Sequence, residues 1–373
     1  MAQSPLRVLV AGGGVAGLEA LMALHELAPG RVELTLAAPD DEFVYRPLAL
    51  DEGFAVHRMR RVPLHRAAGD ADAAFVDATI EVVDLEFKVA TTSRGDKLGY
   101  DALVVAAGAE AMPALANVLT WDDRSEAEML GGLLQDVEEG YTTRVAVVIP
   151  PGPGWPLRGY ELALLIKLEA DGMSIDADVT LVRPEPSPLA LLGERALELV
   201  SEELERAGIA VLAAGAVEVL NEPRLAVLAG PSGDRLEVDR VLALPMLRGR
   251  PIAGLPAGAD GFFEVDEHCR VRGLDDVWAV GDCTAFPLKS GGFAAEQADV
   301  AAEDIAATAG ATVEARPFDP ILREDLAGLP AGRFLEKWLA AGDPRLSTHL
   351  PATGAPVLTY LQRDLAAGWR GYG

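Results

Sequence analysis

Gly12, Gly14 and Gly17 stand in the spacing G-x-G-x-x-G, with Gly13, Val15 and Ala16 between them. Small residues at that spacing let a backbone approach a pyrophosphate. The first glycine permits a tight turn, the second brings N–H groups close to phosphate oxygens, and the third lets helix and strand pack closely. The chemistry on offer is anion binding at a helix N-terminus, where N–H groups and the helix dipole both favour negative charge. A glycine-rich surface turn is the alternative, and the flanking elements must separate the two.

Leu6 to Ala11 is an apolar run with β-branched members, and it enters the turn without a break. Leu18 to Leu27 reads as a helix, with Leu18, Leu21, Met22 and Leu24 on one face. Pro29-Gly30 stops it, and Val32 to Leu36 is a second strand. The unit is strand, glycine turn, helix, strand, so Gly12, Gly14, Val15, Ala16 and Gly17 are expected to hold a dinucleotide. The acidic residue that would hold the ribose falls near Ala38, where there is no carboxylate. Pro39 follows at the cofactor end of the strand, and Asp40, Asp41 or Glu42 beyond it are the substitutes.

The chain has 373 residues, enough for about two to three domains with a buried core. With 58 acidic against 32 basic residues its formal charge is −26, which repels nucleic acid and anionic lipid headgroups. The two cysteines, Cys269 and Cys283, have neither metal-binding nor redox-pair spacing, which excludes a disulfide framework and fits a reducing cytoplasm. There is no apolar stretch of about eighteen residues, so neither signal peptide nor membrane span is expected.

Beyond the first unit, Ala73 to Val76, Ile80 to Val83 and Phe87 to Ala90 alternate as a β-meander would. Tyr100 to Ala109 is a strand running into a glycine turn at Ala107-Gly108. Arg144 to Ile149, Gly159 to Ala170, Asp178 to Val182 and Glu194 to Ala207 form a second βαβ series, at a spacing of about 140 residues from the first. Strands from about residue 216 to 244 close it. Asp276 to Asp282 is a strand ending in Gly281-Asp282, and Phe293 to Thr308 is an alanine-rich helix. Phe334, Leu335, Trp338 and Leu339 are read as a helical apolar stripe in a separate C-terminal piece. The fold class is α/β, with two Rossmann-like units and a short C-terminal subdomain. The boundaries fall at 1–115, 116–245, 246–312 and 313–373.

The order of the Gly12 turn, the Tyr100–Ala109 strand and the Val277–Asp282 strand resembles the flavoprotein disulfide reductase superfamily with two dinucleotide-binding domains. There an FAD domain is interrupted by an NAD(P)-binding one. The resemblance covers about residues 6–310, and it implies FAD on the first glycine turn and a flavin ribitol hydrogen-bonded by Asp282 after Gly281. A carboxylate at a strand's C-terminal end can accept from sugar hydroxyls, and it can also cap the following helix. Disulfide reductases carry a Cys-x4-Cys pair soon after the first glycine motif. Residues 1–268 contain no cysteine, so thiol–disulfide exchange is excluded.

Lys289 to Ala298 is similar to the segment of sulfide:quinone oxidoreductases and flavocytochrome c sulfide dehydrogenases that lies against the isoalloxazine, and type II NADH dehydrogenases have a related one. This similarity implies that Gly292, Phe293 and Ala294 present backbone to the reduced flavin. Lys289 is the candidate catalytic residue, with a solvated surface lysine as the alternative. Phe43 to Pro47, with Arg46 and Pro47, is similar to the family's loop beside the flavin. The cysteines of sulfide oxidation are absent from residues 121–165, and Cys283 is read as a small buried residue.

In the second unit the glycine motif is replaced by Pro150-Pro151-Gly152-Pro153-Gly154-Trp155-Pro156-Leu157-Arg158-Gly159, whose four prolines remove four N–H donors. NAD(P) is therefore an uncertain second ligand. The reading is an FAD-dependent oxidoreductase passing electrons to a quinone or similar small-molecule acceptor. Its alternatives are an NAD(P)H-dependent reductase with an atypical nicotinamide site, and a non-catalytic flavin-binding redox sensor. The expected partners are a small-molecule donor and acceptor, with no nucleic acid. The C-terminal stripe would serve a peripheral membrane contact, a homodimer contact or packing on the FAD domain.

Overall fold

The computed structural model describes residues 4–44, 61–121, 126–184, 187, 194–213, 218–222, 225–229, 235–325, 334–338 and 343–347. The first sheet takes four strands from the start of the chain, β1 (Leu6–Ala11), β2 (Val32–Ala38), β3 (Ala74–Asp77) and β4 (Ala102–Val105). Helix α1 (Val15–Leu27) crosses over between β1 and β2, and α2 (Leu64–Asp70) precedes β3. The chain leaves through β5 (Ala109–Met112) and enters a second sheet. That sheet contains β6 (Leu119–Thr120), β7 (Arg144–Val148), β8 (Asp178–Arg183), β9 (Ala210–Ala213) and β10 (Arg240–Ala243). Helices α3 (Glu126–Glu138), α4 (Leu157–Gly172) and α5 (Glu194–Arg206) accompany it. The return runs through β11 (Met246–Gly249), antiparallel to β5. It ends at β12 (Val277–Ala279), which completes the first sheet, and α6 (Gly291–Thr308) follows.

Both large sheets are five-stranded, in the orders β12-β4-β1-β2-β3 and β6-β10-β7-β8-β9. Every pairing in them is parallel. Strands buried on both faces read as continuous apolar runs, as Leu103-Val104-Val105 and Val145-Ala146-Val147-Val148 do here. The α/β class with two Rossmann-like units therefore stands. In the first unit α1 and α6 pack side by side on one face of the sheet, through Leu18, Leu21, Ala298, Ala302 and Ile305. The other face carries Leu9, Leu103, Val105, Phe263 and Val277.

Two expectations are corrected. Ala74–Asp77 does not join a meander; it pairs in parallel with β2. The antiparallel three-stranded sheet is built from Ile80–Asp84, Val89–Thr92 and Lys97–Gly99 instead. Alternation alone does not distinguish a meander strand from an edge strand of a parallel sheet, because both leave one face partly exposed.

The second correction is at the C-terminus, where Phe334–Trp338 is a strand and not a helix. It pairs antiparallel with Ile321–Asp325 and Asp343–Ser347. Apolar residues at 334, 335 and 338 suit either period over so short a stretch. The Gly-Leu-Pro-Ala-Gly sequence before it is a turn signal that favours a short strand. Leu339 lies outside the described residues.

Candidate dinucleotide site at the edge of the first sheet

The C-terminal ends of β1, β4 and β12 converge on one edge of the first sheet, and each ends in a glycine turn. Gly12 has φ +128°, and a Cβ there would stand 2.1 Å from the Ala106 carbonyl oxygen after β4. A Cβ on Gly17 would meet the Gly12 carbonyl oxygen at 1.9 Å, so only glycine lets α1 begin this close to the turn. Gly14 differs, since among the described residues nothing lies within 4 Å of the position its Cβ would take. It is exposed, it caps α1 without any side-chain hydrogen bond, and there is no acidic residue in the first turn. The first turn of α1 thus presents backbone N–H groups beside open space, which is what a pyrophosphate needs.

Gly281 closes the edge from the other side. Its φ is +77°, and a Cβ would lie 2.9 Å from Ala16 Cβ and 3.4 Å from Ala294 Cβ. The turn after β12 is therefore wedged between the starts of α1 and α6. The Gly281 N–H donates to Oε1 of buried Gln297 at 2.7 Å, and the Thr284 hydroxyl donates to the Gly281 carbonyl at 2.9 Å. Asp282 is half-buried at this turn. Ala107 and Gly108 are half-buried on the same edge, with Gly108 at φ +66° and open space at its Cβ position.

Pro39 is exposed just past β2, and Ala38 before it is buried. Asp40, Asp41 and Glu42 are exposed beyond it. Arg46 and Pro47 lie outside the described residues.

Lys289 is buried, with 5% of its surface accessible, and is not a solvated surface lysine. Its Nζ donates to the Thr284 carbonyl and sits 4.3 Å from the centre of the Phe262 ring. Burial lowers its pKa from 10.5 to about 8, partly offset by the Asp282 carboxylate. Ser290 caps α6 by accepting from the Phe293 N–H at 3.4 Å, and its carbonyl accepts from Ala294 N–H at 3.0 Å. Of the three residues of this turn assigned to a cofactor, Phe293 and Ala294 therefore give their N–H groups to Ser290, and Gly292 is the third. The Phe293 ring packs into the core of the second unit, edge-on to Trp155 and Phe286 at 6.2 and 5.4 Å between centroids.

The cysteines are removed from chemistry. Cys283 lies 3.3 and 3.2 Å from the carbonyls of Val105 and Val280, and burial pushes its pKa up to about 11. Cys269 is buried too, and its pKa is raised further for the same reason. Gln297 and Thr284 are the residues that sequence reasoning left unassigned. The run Glu296-Gln297 lay inside the similar segment, but nothing in it told that the amide would hold the Gly281 turn.

A parallel sheet edge bearing an open helix N-terminus, followed by a second Rossmann-like unit after β5, defines a protein of the dinucleotide-binding α/β class. The family model for pyridine nucleotide-disulphide oxidoreductases matches residues 6–304, and the chain belongs to that family. FAD is the cofactor that this membership carries, and the residues around Gly14 fit it.

Among its relatives, the chain is 30% identical over 304 residues to an NADH dehydrogenase-like protein of Mycobacterium tuberculosis, covering 75% of this chain and 73% of that one. It is 23% identical to the type II NADH:quinone oxidoreductase of Staphylococcus saprophyticus, covering 77% and 76%. Among solved structures, the sulfide:quinone oxidoreductase of Aquifex aeolicus superposes with a TM-score of 0.76 at 20% identity, over 89% of this chain and 83% of that one. That likeness is one of fold.

Proposed function

We propose that this chain is an FAD-dependent oxidoreductase that moves electrons from a small-molecule donor to a quinone or similar acceptor without a redox-active disulfide. The observation that carries it is the joint edge of Gly14 and Gly281: an uncapped helix N-terminus faces open space, and the Asp282 turn is wedged against it. Names of relatives that contain quinone support the choice of acceptor. On this reading residues 1–115 and 246–312 hold the flavin, 116–245 form the second unit, and 313–373 the C-terminal subdomain.

A bound flavin would supply hydride and single-electron transfer. The protein's part is positional. The first turn of α1, with Gly14, Val15, Ala16 and Gly17, would receive the pyrophosphate. Asp282 would accept from ribitol hydroxyls, and Pro39, Ala107 and Gly108 would line the edge. Lys289 would hold a positive charge close to the reacting ring, in a site where burial makes that charge more effective. Both thiols are too buried to serve as sulfur carriers.

A second reading is favoured by the relatives named for NADH: an NAD(P)H-dependent reductase of a small acceptor. Anaerobic stopped-flow absorbance of the flavin-loaded protein separates the two. Slow or absent bleaching with NADH and NADPH, with fast reoxidation of the photoreduced flavin by a soluble quinone, is the result expected. Protein that neither purifies with flavin nor takes it up rules out both.

A further inference from the structure

The loop that begins the second unit is built differently from the Gly12 turn. Of residues 150–159, four are prolines with no N–H. Three more N–H groups are used inside the protein: Gly154 donates to Pro287 carbonyl at 3.1 Å, Arg158 to Trp155 carbonyl at 3.2 Å, and Gly159 to Pro156 carbonyl at 3.0 Å. The Gly154 carbonyl in turn accepts from the Lys289 N–H at 2.9 Å, so Gly154 and Leu288 form a parallel bridge between the two units.

Side chains secure the same contact. The Trp155 ring meets Phe293 edge-on, and Leu157 at the start of α4 is 1% exposed. At the first turn of α1, by contrast, Leu18 donates to Gly14 in ordinary helical register, and Gly14 is open to solvent. One feature of a nucleotide site does persist, because a Cβ on Gly159 would lie 2.4 Å from Ile149 Cγ1, the close helix–strand contact of such units.

We infer that residues 150–159 form an interdomain clasp and not a phosphate cradle, so that no pyridine nucleotide is bound with its pyrophosphate at the N-terminus of α4. A phosphate oxygen needs N–H groups turned outward. Here prolines have removed four, Gly154 gives its own to the segment that carries Lys289, and Arg158 and Gly159 give theirs to carbonyls of the loop itself. Opening the loop to a nucleotide would break both Gly154 bonds and part Trp155 from Phe293. The clasp instead fixes Lys289 from its backbone side, while its Nζ is held on Thr284. The inference uses the family reading only for where a second nucleotide would sit, and it does not depend on the flavin.

The test is isothermal titration of the protein as purified with NADH, NADPH and ADP-ribose, paired with hydrogen exchange read over residues 150–160 and 285–292. The expected result is no saturable binding tighter than about 1 mM, with slow exchange at Gly154 and Lys289 that none of the three ligands changes. Saturable binding that slows exchange within 150–160 overturns the inference. Saturable binding that leaves 150–160 unchanged places the nucleotide elsewhere and upholds it. Flavin content, measured on the same sample, reports separately on the proposed function.

Discussion

The N–H of Gly281 donates to Oε1 of Gln297 at 2.7 Å, tying the turn after β12 to the second turn of α6. Both groups are buried. Gln297→Leu keeps the volume and leaves that N–H without an acceptor, at a cost of about 1–3 kcal/mol. The expected outcome is a lower melting temperature together with reduced flavin content per mole of protein. Gln297→Glu, which retains an acceptor oxygen, should recover more of the flavin than Gln297→Leu does.

Gly17 and Gly14 should respond oppositely to alanine. Gly17→Ala drives a Cβ into the Gly12 carbonyl and should destabilise the fold by upward of about 2 kcal/mol. Gly14→Ala meets open space, so denaturant unfolding of the flavin-free protein should be nearly unchanged. Its effect should appear as weaker flavin retention on dilution, because the methyl group occupies the approach of the phosphates.

Lys289 imposes a pH dependence whose sign follows from its depressed pKa. The unfolded chain holds this proton up to about 10.5 and the folded chain only to about 8. Between those values the unfolded state binds more protons, so stability rises with pH there. The burial cost of the charge is fully present below about 8. Comparing the wild type with Lys289→Met by denaturant unfolding from pH 7 to 10.5, the wild type should gain on the variant by up to about 3 kcal/mol. A flat difference would show that Lys289 is not buried as described.

Iodoacetamide should leave the native protein unmodified by mass, and should label Cys269 and Cys283 only after denaturation. Both thiols are buried and hold their protons well above neutral pH. Cys269→Ala with Cys283→Ala should keep flavin reduction by the productive donor within about twofold and cost stability on the order of 1–2 kcal/mol for the small cavities left. Loss of turnover in that variant would return sulfur chemistry to consideration.

The amino-acid sequence by itself determined the first unit and its glycine turn. The reason is local: Gly12 needs a positive φ, Gly17 needs a bare Cα, and the apolar runs on either side set the period of strand and helix within a few residues. It determined the second βαβ series by the same signals, and the absence of a cysteine pair by simple inspection. The resemblance of the Lys289–Ala298 segment was legible because backbone requirements at a helix start are also written locally.

Tertiary structure alone decided what lies far apart in the chain. Lys289 is a long charged side chain whose sequence neighbours suggest a surface, and only the packing of Phe262 and Thr284 around it makes it buried. Gln297 is one polar residue in an alanine-rich helix until β12 brings Gly281 to its amide. The clasp at Gly154 needs a partner more than a hundred residues away, at Pro287 and Lys289. Phe334–Trp338 is a strand because of its pairing with Ile321–Asp325 and Asp343–Ser347, which no periodicity over five residues could settle. Local conformational demands are carried by individual residues, whereas burial and hydrogen-bond partners are properties of which surfaces meet.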